Sequence, residues 1–134
     1  DVVRLISDAK QFITRNNKNC FILHVLVDKY IIDDKEYFEF PENLDYKEFI
    51  IDVSFITVSN SIIKTFNRIL KDCNIEIKKF ISHQYSSRFA DDNDSSPCIA
   101  GKKVNDGINP LEVKIQSPKA QKQGLFEKMF NFFN

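Results

Sequence analysis

Apolar side chains recur at Val2, Leu5, Ile6, Ala9, Phe12 and Ile13, a three- and four-residue spacing that predicts an amphipathic helix over residues 1–13. A polar, turn-prone stretch (14–19) follows, and then "CFILHVLVDKYII" combines β-branched and aromatic residues over the length of a long strand, with Phe21, Leu23, Val25 and Val27 expected on one face. The charged segment "DDKEYFEFPENLDYK" is broken by Pro41 and reads as an excursion, with a short extended piece near Tyr37 to Phe40. In "EFIIDVSFIT" the residues Phe49, Ile51, Val53 and Phe55 alternate with Glu48, Ile50, Asp52 and Ser54, the clearest strand pattern in the chain. A second helix has a cap signal in Ser59–Ser61, apolar positions at Ile62, Ile63, Phe66, Ile69, Leu70 and Cys73, and a stop at Asn74. Ile75, Ile77, Phe80 and Ile81 then suit an outer strand with a register change at Lys78 and Lys79. The order helix, strand, strand, helix, strand predicts an α+β domain over residues 1–81: a small antiparallel three-stranded sheet with two helices packed on one face.

The pattern changes near Ser82. Residues 82–123 are polar, hold two of the three glycines and show no sustained period, so they are expected to form a disordered linker. The alternation "LEVKI" within it forms a strand only if some sheet edge accepts it. The end of the chain, residues 124–134, is different again. On a helical wheel Leu125, Phe126, Met129, Phe130, Phe132 and Phe133 share an arc of about 160°, and Glu127, Lys128, Asn131 and Asn134 fill the remainder. A core-docked helix and a membrane-surface helix give the same wheel. Its position behind a linker and after Lys119 and Lys122 favours lipid, with Leu125, Phe126, Lys128, Met129, Phe130 and Phe133 as the membrane-binding residues. A segment of this length is marginal as an isolated helix, so its folding and its binding are expected to be one event.

Composition narrows the classes. The 134 residues allow one domain with a core plus a tail, and 43% hydrophobic and 28% charged residues are ordinary for a globular chain. Nineteen basic residues balance nineteen acidic ones, which argues against nucleic acid as a partner. Cys20, Cys73 and Cys98 are odd in number and widely spaced, as expected of free thiols in a reducing compartment. The apolar runs are too short to span a bilayer, and the start at Asp1 is consistent with a piece of something longer.

Candidate chemistry is sparse. His24 lies within the first strand and His83 beyond the last, with no companion at ligand spacing, so neither suggests zinc. Cys20 and His24 are too far apart along a strand to act as a nucleophile and base. The "DDND" run at 91–94 lacks the glycine and the closing glutamate of a calcium loop, and "AGKKV" lacks the first glycine and the Ser/Thr of a phosphate loop. Lys64, Arg68, Lys71, Lys78 and Lys79 read as a solvated face, since neither a GXXG loop nor a paired-aromatic RNA signature accompanies them. The expectation is therefore no catalytic residues, no metal and no cofactor in this chain.

One resemblance organises these features. "FILHVLVDKYIIDD" is similar, at Ile22, Leu23, His24, Val25, Tyr30, Ile31, Ile32 and Asp33, to the strand "ILHVxPxxYIIDG" of subdomain 1C in the FtsA family of actin-related division proteins. Pro41 falls at that family's loop proline, and "IDVSFIT" matches its next strand at Val53, Phe55, Ile56 and Thr57. Val27 stands where the family has proline, and Asp34, Tyr37, Asn43 and Tyr46 where it usually has glycine, so the loop need not keep the family's conformation. The resemblance covers residues 1–81 and returns at the terminal helix; the lobe with the phosphate-binding loops has no counterpart. It implies a truncated or partial FtsA that would need its full-length form to bind ATP. As partners it implies division-ring proteins: FtsZ in the full-length family, late division proteins through the 1C-like domain, and self-association. Its implied location is the cytoplasmic face of the bacterial cell membrane at the division site. The alternative is a stand-alone protein- or RNA-interaction domain whose last helix docks on its own sheet.

Overall fold

The computed structural model describes residues 2–41, 43–90 and 96–114. It is an α+β fold built on a three-stranded antiparallel sheet of order β2-β1-β3. Helix α1 (Val2–Asn16) extends one turn beyond the expected end and leads through a short turn into β1 (Cys20–Ile32). A two-residue turn joins β1 to β2 (Lys35–Tyr37), and β3 (Phe49–Ser59) runs directly into α2 (Asn60–Asp72).

The turn at Asp33 and Asp34 has φ of 46° and 63°, the left-handed pair that matches the twist of a tight hairpin. Asp34 thus adopts the backbone conformation that glycine favours, and so does Asn43 in the following excursion, at φ 67°. The excursion before β3 returns to the hairpin because Asp33 Oδ1 accepts the amide N–H groups of Lys47 and Glu48 at 3.1 and 2.9 Å. Tyr30, Phe40, Tyr46 and Phe49 close over it, with ring centroids 5.5–6.2 Å apart.

β1 and β3 pair along their length, interrupted by register shifts between Ile22 and His24 and between Val27 and Lys29. Each shift inserts one residue and so exchanges the faces of the residues after it. Val25 and Val27, opposite Phe55 and Val53, therefore lie on one face and join Ile6 of α1 in a buried cluster. His24 and Leu26 point to the other face, and so does Phe21, opposite Val58. The expectation that Phe21, Leu23, Val25 and Val27 share a face is corrected: the extra residue at Leu23 breaks the alternation.

Two further expectations are corrected. Residues 75–81 are not a strand, and β2 completes the sheet instead. The end of the segment lies on the face of the sheet rather than along its edge, because Phe80 and Ile81 find partners there. Phe80 meets Phe21 and Phe66 edge-on at 6.4 Å, and two residues on the amide of Ser82 donates to His24. Likewise, much of the expected linker 82–123 is folded. Helix α3 (His83–Ser86), a 3₁₀ turn (Ser87–Phe89) and α4 (Pro97–Asn105) form a layer on the second face, where Tyr85 and Val104 join Leu26 in a buried cluster with Ile56, Ile81 and Phe89 packed around it. Of "LEVKI", Leu111–Val113 find a sheet edge and form an isolated bridge there rather than a strand, and Ile115 lies outside the described residues. Val27 N–H donates to the Leu111 carbonyl and Val113 N–H to that of Val25, both at 2.9 Å, on the edge of β1 that β2 leaves open. Residues 91–95 and 115–134 lie outside the described residues, and with them the expected membrane helix.

Candidate functional site

The extra residue at Leu23 turns His24 away from α1 and onto the face covered by α3 and α4, where it is 1% exposed. The rung at Leu26 and Glu112 places Glu112 on that same face. Its carboxylate therefore reaches the ring: Glu112 Oε1 lies 2.8 Å from His24 Nδ1. On the other side of the ring, the backbone N–H of Ser82 donates to Nε2 at 3.0 Å. These two bonds assign the tautomer, with the proton on Nδ1 and the lone pair on Nε2.

The cluster continues outward. Tyr85 donates its hydroxyl to Glu112 Oε2 at 3.0 Å, its ring lies 4.6 Å from that of His24, and its oxygen accepts from Asn109 Nδ2 at 2.9 Å. Asn109 Oδ1 in turn accepts the amide of Leu111 at 3.0 Å, and Lys79 Nζ stands 3.9 Å from Glu112 at the rim. Burial pushes the Tyr85 hydroxyl above its ordinary range; the bond from Asn109 opposes this and the Glu112 carboxylate adds to it. No buried side-chain polar atom among the described residues lacks a partner.

A histidine backed by a carboxylate is half of a catalytic triad, but here the second nitrogen faces a main-chain amide rather than a nucleophile. Its lone pair is occupied, so in this arrangement the ring has none to offer a substrate. What the cluster can do is fasten: it joins β1, the start of α3 and the Leu111–Val113 segment through the His24 ring and one part-buried carboxylate. Sequence reasoning sets His24 aside for want of a companion. The companion is 88 residues away, and no local spacing could have pointed to it.

Two apolar surfaces are the other candidates. On α2, Ile62, Phe66 and Ile69 follow one another at helical spacing, yet 46%, 52% and 51% of their areas are exposed; Ile63 is the one buried residue of that helix. The second surface is an open groove between Leu5, Ile6 and Ala9 of α1 and Ile51, Val53 and Phe55 of β3. It exists because α1 lies over β1, leaving this face of β3 half covered.

The basic residues Lys64, Arg68, Lys71, Lys78 and Lys79 are exposed. Cys20, Cys73 and Cys98 are free thiols. Among the described residues no three histidine, cysteine or acidic side chains converge, and no helix is long and apolar enough to cross a membrane. The residues assigned to lipid, Leu125, Phe126, Lys128, Met129, Phe130 and Phe133, lie outside the described residues, as does the 91–94 acidic run. No protein-family model, no curated protein and no solved structure matches the chain.

Proposed function

We propose that the protein is a non-enzymatic scaffold of the FtsA type, in which the α+β domain binds a protein partner and the terminal amphipathic helix attaches it to the cytoplasmic face of the bacterial membrane. The observation that carries the reading is apolar surface that the described residues leave about half exposed. Ile62, Phe66 and Ile69 supply an i, i+4, i+7 stripe of the kind that protein partners bury. Leu125, Phe126, Met129, Phe130 and Phe133 supply a second, separate one in the sequence. The FtsA-like residues of β1 and β3 support the choice of scaffold, since they belong to the two long paired strands from which the rest of the domain is built.

Lipid attachment rests on the tail and partner binding on α2, so the two separate by mutation. In sedimentation with vesicles of phosphatidylglycerol and phosphatidylethanolamine, wild type and Phe66→Glu are expected in the pellet and Phe130→Glu in the supernatant. Equal pelleting of wild type and Phe130→Glu would remove the tether from this reading.

A further inference from the structure

The groove between α1 and β3 has an occupant within reach. We propose that residues 124–134 dock into it in the absence of lipid, so that the groove and the membrane compete for the same side chains and the domain restrains its own attachment. The inference rests on the tether proposed above and adds regulation to it.

Three observations select this occupant. First, the last described residues end close by: Val113 packs on the Ile6, Val25 and Val27 cluster, against which Ile51, Val53 and Phe55 of the groove also pack. The nine residues 115–123 extend to about 30 Å. The groove floor on β3 lies two strand spacings, about 10 Å, from the Leu111–Val113 rung. Second, the dimensions agree. Eleven helical residues are about 16 Å long, and β3 from Phe49 to Phe55 spans about 20 Å. The groove has two apolar walls at an angle, a helix side at Leu5 and Ala9 and a sheet side at Ile51 and Val53, and an apolar arc of about 160° meets both. Third, a short tether gives the tail an effective concentration in the millimolar range, so the chain's own helix outcompetes that of a second copy.

The side chains that enter lipid are those that would fill the groove, so one tail cannot do both. If about nine tails in ten are docked, apparent vesicle affinity is lowered about tenfold.

Leu5 tests this without endangering the core, because its side chain is 46% exposed. Amide exchange of the full chain in water should show residues 124–134 protected in wild type and unprotected in Leu5→Glu and in Phe130→Glu. Leu5→Glu should then bind phosphatidylglycerol and phosphatidylethanolamine vesicles about tenfold more tightly than wild type. Identical exchange and identical vesicle binding in wild type and Leu5→Glu would overturn the docking and leave the tether standing. Tail protection lost in Leu5→Glu, with no vesicle binding by either protein, would uphold the docking and overturn the tether. Protection that grows with protein concentration would assign the groove to a second copy and overturn docking within one chain.

Discussion

Glu112 is the residue on which the second face depends. Its carboxylate accepts from His24 Nδ1–H and from the Tyr85 hydroxyl, and both donors are buried. A lost partner there leaves a desolvated polar group, which costs more than the bond itself contributed. Tyr85→Phe strips one donor from Glu112 and the acceptor from Asn109, so it should lower unfolding stability at neutral pH by about 1–3 kcal/mol, measured with urea. It should also flatten the alkaline limb. The Tyr85 hydroxyl is raised in the folded state, so the fold holds that proton more tightly than the unfolded chain does. Below the ordinary tyrosine value of about 10 the two states are protonated alike, and stability falls as pH rises past it. Urea titrations at pH 8 and pH 11 should therefore show a larger fall for wild type than for Tyr85→Phe.

Both boundaries of α2 were legible because each terminus has its own chemistry. The stop expected at Asn74 is a left-handed residue at φ 56°, followed by Ile75 N–H bonding back to the Leu70 carbonyl and Asn74 N–H to that of Lys71. The Ser59 cap was equally readable, and its side chain accepts from the Ser61 amide. Helix α4 carries a start and a stop signal of other kinds, Pro97 in the first turn and Gly107 at φ 86° beyond the end, with Ile108 N–H bonding to the Lys103 carbonyl. It escapes a reading by period because nine residues with a glycine inside give too few apolar repeats to establish one. The strand expected at 75–81 failed for the opposite reason. Its apolar residues were read correctly, but Phe80 packs edge-on against Phe21 of β1 and Phe66 of α2, and pattern alone cannot separate an edge strand from a segment lying on the face of the sheet. The β1–β2 turn offers a test at this scale. Asp34→Gly should raise stability by about 0.5–1 kcal/mol by removing left-handed strain, read as a higher urea midpoint. Asp33→Gly should lower it, because Asp33 Oδ1 holds the amides of Lys47 and Glu48.

At the scale of the molecule, β1 is sandwiched. His24, Val25, Leu26 and Val27 are buried in succession, two toward α1 and two toward the α3–α4 layer, an unbroken run that antiparallel sheets rarely carry unless both faces are covered. The sequence suggested one covered face and a free tail; the second cover comes from residues whose individual patterns are too short to register. The two layers should then unfold together, with Leu111–Val113 as the join. A chain shortened to Lys114 keeps that join, whereas one shortened to Asn109 loses the rung on β1 and the carboxylate between His24 and Tyr85. Urea unfolding of the two should differ by about 3 kcal/mol or more, with a single transition in the longer form.

The join also fixes how the molecule carries load. A pull applied at the C-terminal end of the chain arrives, among the described residues, first at Lys114 and then at the main-chain bonds that tie Val113 and Leu111 to β1, with the Glu112 carboxylate gripping alongside. Helix α4 and the turn behind it are spared until those bonds part. Tension therefore enters the protein at its most buried strand.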